Sequence, residues 1–264
     1  MSKFDNSKLP SRDDTEDPSW APHLSNYYAI GMLEEEIHQP LIGVATFWDE
    51  TVPYNIALNC QVQSAKIGVK HALGTPRKFT TITVTDEIAM GHERMRSSLA
   101  SCEAIADTVE LTTRGHGYNA LVGLADCNKF LSGMTMAMVR LKVPLVFLHF
   151  TSILSCRLGS KDVTMQDVFE ALRQHQVGNL RTYDLEKLEA VAVPSAGGCA
   201  DQFTANKMAC VSEVIGLALM NSSGATALYK SSDQCAKALG CAVMTSLEKN
   251  IRVRNVVTLK SLEN

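Results

Sequence analysis

The chain is 264 residues long, 45% apolar and 20% charged, with 25 Lys and Arg set against 28 Asp and Glu. That apolar content excludes disorder for the bulk of the chain, and the length is enough to bury a sizeable core in one large domain or two small ones. A net charge of −3 with no Lys/Arg block gives no electrostatic case for nucleic acid or an anionic membrane. The most apolar window, 134–154, is broken by Arg140 and Lys142 and falls short of the roughly 20 apolar residues that a membrane span needs.

Residues 1–20 read as a flexible tail, because Pro10, Pro18 and dense acidic charge leave nothing to pack. This stretch resembles neither a secretory signal nor an Arg-rich transit peptide, so a cytoplasmic location is expected. In a reducing cytoplasm the eight cysteines are free or metal-bound, and no Cys-x-x-Cys pair suggests a zinc ribbon or thioredoxin-type site. From Leu41 onward short apolar runs alternate with helical patterns. LIGVAT at 41–46 predicts a buried strand, followed by a helix over 57–72. TTITVT at 80–85 predicts a second strand and 98–112 a helix. ALVGLA at 120–125 predicts a third strand, 133–141 a helix, and PLVFLHF at 144–150 a fourth strand. Helices are predicted over 164–176, 185–191, 204–220 and 231–247, so the second half is more helical. Strands alternating with helices imply an α/β fold: a three-layer domain with a mostly parallel sheet of about four strands, flanked by helices.

Ligands of open parallel sheets bind beyond the carboxyl ends of the strands, so the residues that follow each strand are the place to look. They are Asp49 and Glu50 after the first, Asp86, Glu87, His92 and Glu93 after the second, and Asp126, Cys127, Asn128 and Lys129 after the third. His149 lies within the fourth. One such group is ordinary loop charge; three successive groups on one rim point to a site. A lysine at a strand-to-helix turn beside a thiol and an acid is poorly explained by packing. Gly197 and Gly198 lead to Cys199 just before a predicted helix, where backbone N–H groups would favour a thiolate. Cys127 and Cys199 are therefore singled out, while Cys60, Cys210 and the other cysteines read as packing thiols. Dinucleotide and phosphate-loop glycine signatures, a nucleophile elbow and a His-Glu-x-x-His helix are all missing from the sequence.

The segments PLIGVATFWDETVPYN (40–55), FTTITVTDEIAMGHERM (79–95), ADCNKFLSGMTMAMVRL (125–141) and PSAGGCADQFTANKMA (194–209) resemble, in order and spacing, the signature stretches of the dihydroxy-acid dehydratase / 6-phosphogluconate dehydratase family. The resemblance runs from about Tyr27 to the end and is strongest to the dihydroxy-acid dehydratases. It implies a hydro-lyase of branched-chain amino-acid synthesis that takes water from a 2,3-dihydroxy carboxylic acid to give a 2-keto acid. The cofactors implied are an iron–sulfur cluster, 2Fe-2S or 4Fe-4S, and Mg²⁺. Carried over by motif, Cys127 and Cys199 would ligate the cluster, Asp86 and Asn128 would face Mg²⁺, and Lys129 would act at the metal as a carbamate.

The sequence departs from the family pattern at Tyr54, where many members carry a further cluster cysteine, and at Asn128, usually an aspartate. Glu87 and Arg94 stand where the pattern has glycine, Ser132 where it has proline, and residues 149–151 replace a glycine-rich turn. The resemblance reads residues 21–264 as an N-terminal-type dehydratase domain without the β-rich second domain, which in the family supplies a metal carboxylate and the base. A homodimer with negligible turnover of its own is expected on that basis. The other readings are a catalytically silent metal-binding or interaction module and, within the enzyme class, a sugar-acid dehydratase.

Overall fold

In the computed structural model, residues 9–149, 152–224 and 230–263 are described. Four parallel strands form one sheet in the order β2-β1-β3-β4: β1 (Leu41–Thr46), β2 (Thr75–Thr80), β3 (Ala120–Ala125) and β4 (Leu145–His149). Every residue of β1, β3 and β4 is buried, as expected of apolar runs in a parallel sheet covered on both faces. Val44 is paired with Val122, and Gly123 with Phe147.

The chain enters through two short 3₁₀ turns (Pro10–Asp14 and Pro18–Trp20), then α1 (Ala21–Ala29) and α2 (Glu34–Ile37). From Leu9 onward the described part of this segment packs on the domain. Ser11, Arg12 and Thr15 are buried, and Ser11 Oγ donates to Asn119 Oδ1 at 2.9 Å. The same oxygen accepts from the Leu41 amide at 2.6 Å, so Asn119 ties the entry segment to the starts of β1 and β3.

After β1 come α3 (Pro53–Ile56) and α4 (Leu58–His71); after β2, α5 (Asp86–Ala89) and α6 (Met95–Gly115); after β3, α7 (Asn128–Arg140). The β1-to-β2 connection runs one way across the sheet, and the β2-to-β3 and β3-to-β4 connections run the other. Right-handed crossovers therefore put α4 on one face and α6 and α7 on the opposite one. The direction reverses between β1 and β3. In open α/β sheets the ligand crevice lies at that reversal.

The second predicted strand is displaced. Pairing of β2 with β1 starts at Thr75 and stops at Thr80, because β1 ends at Thr46, its register partner. The β-branched run 81–85 has the composition of a strand but no neighbour left to pair with, and Ile82 is exposed. Pro76 is tolerated because β2 is an edge strand. The predicted helix 133–141 begins five residues early, directly after Cys127, with Phe130 and Leu131 buried in its first turn. The predicted helix 204–220 ends at Val214, where Gly216 takes a left-handed φ of +78°. Phe150, which closes the predicted fourth strand, lies outside the described residues.

Beyond β4 a small antiparallel pair, β5 (Cys156–Leu158) and β6 (Lys161–Val163), leads into α8 (Met165–Gln176), α9 (Thr182–Glu189) and α10 (Thr204–Val214). Then follow α11 (Lys230–Glu248), α12 (Val253–Val256) and α13 (Leu259–Glu263). α11 lies along α4, β3 and β4, and α10 packs on α7. Val62, Val69, Leu239 and Val243 join Ile105, Phe130 and Met134 in one buried core around the sheet. Among the described residues no helix is long and apolar enough to cross a membrane.

Candidate metal centre

Near the reversal point two strand ends and one distant loop deliver polar side chains into one place. The exit of β2 supplies Asp86 and Glu87 at the start of α5. Asp86 Oδ1 accepts from Ser98 Oγ, and Oδ2 accepts from Asn128 Nδ2 at 3.2 Å. Lys129 Nζ lies 3.4 Å from Asp86 Oδ2, both side chains being about 15% exposed (14% and 15%). The expected convergence of Asp86, Asn128 and Lys129 is thus a feature of the fold, with the lysine amine turned inward.

The exit of β3 supplies Asp126 and Cys127, both buried. Cys199 comes from a distant part of the sequence and is fastened by its backbone. Asn206 Nδ2 donates to the Cys199 and Asp201 carbonyls at 2.7 Å each, the Ile153 amide donates to the Gly198 carbonyl at 2.7 Å, and the Gly197 amide donates to that of Pro53 at 3.2 Å. This lattice brings the two singled-out thiols to one carboxylate. Cys199 Sγ donates to Glu87 Oε1 at 3.2 Å and Cys127 Sγ to Glu87 Oε2 at 3.8 Å. Thr85 Oγ1 lies 3.4 Å from both Glu87 Oε2 and Cys127 Sγ.

A cavity of about 370 Å³ opens beside this group, with Asp86, Glu87, Asn128, Cys199, Phe203 and Arg173 in its wall. Tyr54 is buried with Val52, Cys199 and Phe203 in a small apolar cluster behind it. Other rim residues do not join. Glu50, His92 and Glu93 are exposed, and Asp49 lines a separate cavity of about 270 Å³. His149 is fully buried, and that burial pushes its imidazole down to about 4. Cys60 and Cys210, expected as packing thiols, are exposed.

The charge balance is one-sided. Burial, reinforced by the Glu87 charge, pushes the Cys127 thiol up to about 12 and raises Cys199 as well. Cys199 sits five residues before α10, so the thiolate stabilisation expected from a helix N-terminus is not realised. Burial and Glu87 likewise lift Asp126 well above the usual carboxylate range, and neither of its oxygens has a hydrogen-bond partner among the described residues. Two protonated thiols and a buried unpartnered carboxylate beside Glu87 form a set that positive charge would draw into its ionised, ligating form. Among the described residues no three His, Cys, Asp or Glu side chains are gathered as a single ion would require. The donors instead hydrogen-bond one another across a shared space, and a larger cationic group would replace their protons. Soft sulfur at Cys127 and Cys199 suits iron; Mg²⁺, which keeps several waters, would find in Asp86 and Asn128 two hard oxygen donors and not a complete protein cage.

Residues 39–264 match the family described as dihydroxy-acid/6-phosphogluconate dehydratase, N-terminal. The chain belongs to this family. It is 68% identical over 261 residues to the dihydroxy-acid dehydratase of Dinoroseobacter shibae, covering 99% of this chain and 45% of that protein. It is 62% identical over 261 residues to that of Parvibaculum lavamentivorans, with the same coverage. To the dihydroxy-acid dehydratase of Maridesulfovibrio salexigens it is 41% identical over 244 residues, covering 92% of this chain and 44% of the other. The chain spans about half the length of the curated relatives it matches.

The structure brings the candidates Asp86, Cys127, Asn128, Lys129 and Cys199 together with three contributions that the sequence reading left aside. Glu87 was grouped with the rim but not with the thiols. Asp126 was passed over for its neighbour. Met165 and Phe169, an apolar i,i+4 pair on α8, were given no part in the site, yet α8 buries no residue, and with Arg173 on the same stripe they line the cavity.

Proposed function

We propose that this chain forms the metal-binding half of a hydro-lyase that removes water from a 2,3-dihydroxy carboxylic acid to give a 2-keto acid, as a dihydroxy-acid dehydratase does. One observation carries the reading: Cys127 and Cys199, far apart in sequence, meet at one carboxylate beside the Asp86–Lys129 pair, at the crevice where the sheet reverses direction. When bound, the cluster would supply a Lewis-acidic iron for a departing hydroxyl, and Mg²⁺ a hard cation for substrate oxygens.

The chain's own residues have distinct tasks in this reading. Cys127 and Cys199, as thiolates, hold the cluster. Asp86 and Asn128 turn oxygens toward Mg²⁺. Lys129 is the catalytic residue. Its neutral amine adds CO₂ and loses a proton, which converts the ammonium that now faces Asp86 into a carbamate oxygen donor. Ser98 keeps Asp86 oriented through its hydroxyl. Phe203 and Phe169 narrow the cavity and exclude water from the reacting end of the substrate, while Arg173 offers a cation for its carboxylate.

The reading includes a cytoplasmic homodimer, for which the exposed Ile88 of α5, Met90 just after it and Leu99 of α6 offer apolar area. A dihydroxy acid with a branched aliphatic chain is favoured over a sugar acid by the names of the relatives and by the apolar residues in the cavity wall.

The test is an anaerobic preparation analysed for iron, sulfide and Mg²⁺. It is then assayed for 2-keto acid from 2,3-dihydroxyisovalerate, alone and with the remaining half of a homologous dehydratase. A brown protein that loses its iron in Cys127→Ser and Cys199→Ser is expected. A colourless protein without iron or sulfide after anaerobic reconstitution would overturn the reading.

A further inference from the structure

The two thiols at the centre do not simply lie near each other. They converge on Glu87, whose two oxygens are divided between them, Oε1 to Cys199 at 3.2 Å and Oε2 to Cys127 at 3.8 Å. Asp126, the other acid at the centre, has neither oxygen hydrogen-bonded among the described residues. Tyr54 is packed into the apolar cluster with Val52 and Phe203. Glu87 is itself positioned. It stands two residues after Thr85, whose hydroxyl reaches both Oε2 and the Cys127 sulfur, and in the first turn of α5, whose first residue, Asp86, is fixed by Ser98 and Asn128. Among the described residues this carboxylate faces two buried thiols and forms no ion pair.

We propose that Glu87 supplies the third protein ligand of the iron–sulfur cluster in this chain, through carboxylate oxygen, alongside the sulfurs of Cys127 and Cys199. The inference rests on the reading of the site as a cluster centre. Two thiolates and one carboxylate carry the same total charge as three thiolates, so a cluster of unchanged charge can be held. The bond from oxygen is harder and less covalent than one from sulfur. Iron at that corner is exchanged more readily, and the sulfur-to-iron charge-transfer absorption is weaker. The residue that completes the ligand set then comes from α5, the same short helix that carries Asp86. Cluster and Mg²⁺ sites are thereby coupled through adjacent residues of the backbone.

The experiment compares the wild-type chain with Glu87→Gln, Glu87→Cys and Asp126→Asn, each reconstituted anaerobically with iron and sulfide. The readouts are iron and sulfide per chain, the visible absorption and circular dichroism spectra, and the rate of iron loss to a chelator. Glu87→Gln, which keeps size but loses the anionic ligand, should lose iron on the order of tenfold faster or more. Glu87→Cys should restore occupancy to wild-type level or above, with stronger charge-transfer absorption from an added iron–thiolate bond. Its recovery also separates ligation from a folding defect. Asp126→Asn, which removes a carboxylate hydrogen-bonded to neither thiol, should lose iron more slowly than Glu87→Gln. A Glu87→Gln protein with wild-type iron content, spectrum and chelator rate would overturn the assignment while leaving the cluster centre standing, as would loss confined to Asp126→Asn. A Glu87→Cys protein that fails to regain iron would also overturn it. A wild-type chain that takes up no iron would overturn both together.

Discussion

Replacing Gly240 by alanine tests the packing that supports the sheet from the face opposite α6 and α7. A Cβ at position 240 would lie 2.2 Å from the Ala65 carbonyl oxygen and 2.7 Å from the Val69 amide nitrogen; on the other side of the same crossing, one at Gly68 would lie 2.0 Å from the Lys237 carbonyl oxygen. These are backbone atoms, so no rotamer change relieves the clash, and the helices must separate by about 1 Å to restore van der Waals distance. Separation loosens Val62, Val69, Leu239 and Val243, all fully buried where α4 and α11 cover the sheet. The loss belongs at the upper end of overpacking costs, about 3 kcal/mol. For a chain of this size that is a fall in thermal midpoint of roughly 6–12 °C. Gly115→Ala is the control of opposite sign. Gly115 ends α6, its φ is not left-handed and nothing lies within 4 Å of the added methyl. Its replacement should stabilise by about 0.5–1 kcal/mol through the unfolded chain. Differential scanning calorimetry on the metal-free protein reads both. A Gly240→Ala midpoint within about 2 °C of wild type would mean that α4 and α11 do not meet backbone to backbone, and the described crossing would be wrong.

Three further outcomes are expected. The buried His149 imidazole, at about 4 in the fold against about 6.5 unfolded, binds a proton more readily when unfolded; its contribution is complete above pH 6.5 and declines as pH falls toward 4. Between pH 7 and pH 5 wild type should lose about 2 kcal/mol more than His149→Gln in urea titrations, and an identical pH slope in the two proteins would sink the argument. Lys129→Met should destabilise the metal-free protein by about 1 kcal/mol, because Asp86 keeps its bonds from Ser98 and Asn128. A double-mutant cycle with Asp86→Asn checks this, and a coupling indistinguishable from zero would show that the pair is not formed. Cys60→Ser and Cys210→Ser, both at exposed positions, should leave iron uptake and stability within about 0.5 kcal/mol of wild type, as measured by iron analysis and urea midpoint.

Sequence by itself determined which segments must be buried and in what kind of sheet. The runs 41–46 and 120–125 have no polar alternation, so both faces of each strand need cover, and the helical patterns between them supply it. It also put Asp86, Cys127 and Lys129 on one rim, since a parallel sheet sends the residues after its strands there. What the tertiary structure decided were the matters that depend on a distant partner. β2 ends at Thr80 because β1 ends at Thr46, although residues 81–85 have the stronger strand composition. Ser11 of the entry segment is buried because Asn119, more than a hundred residues away, accepts its hydroxyl hydrogen bond. The α8 stripe faces a cavity and not the core because what lies opposite it is the site. Glu87 stands between two thiols only because the loop before α10 is pinned to Pro53 and Ile153. Local composition registers that a carboxylate follows a strand, but not which side chains will surround it, because those contacts are set by chain closure over long distances and not by periodicity.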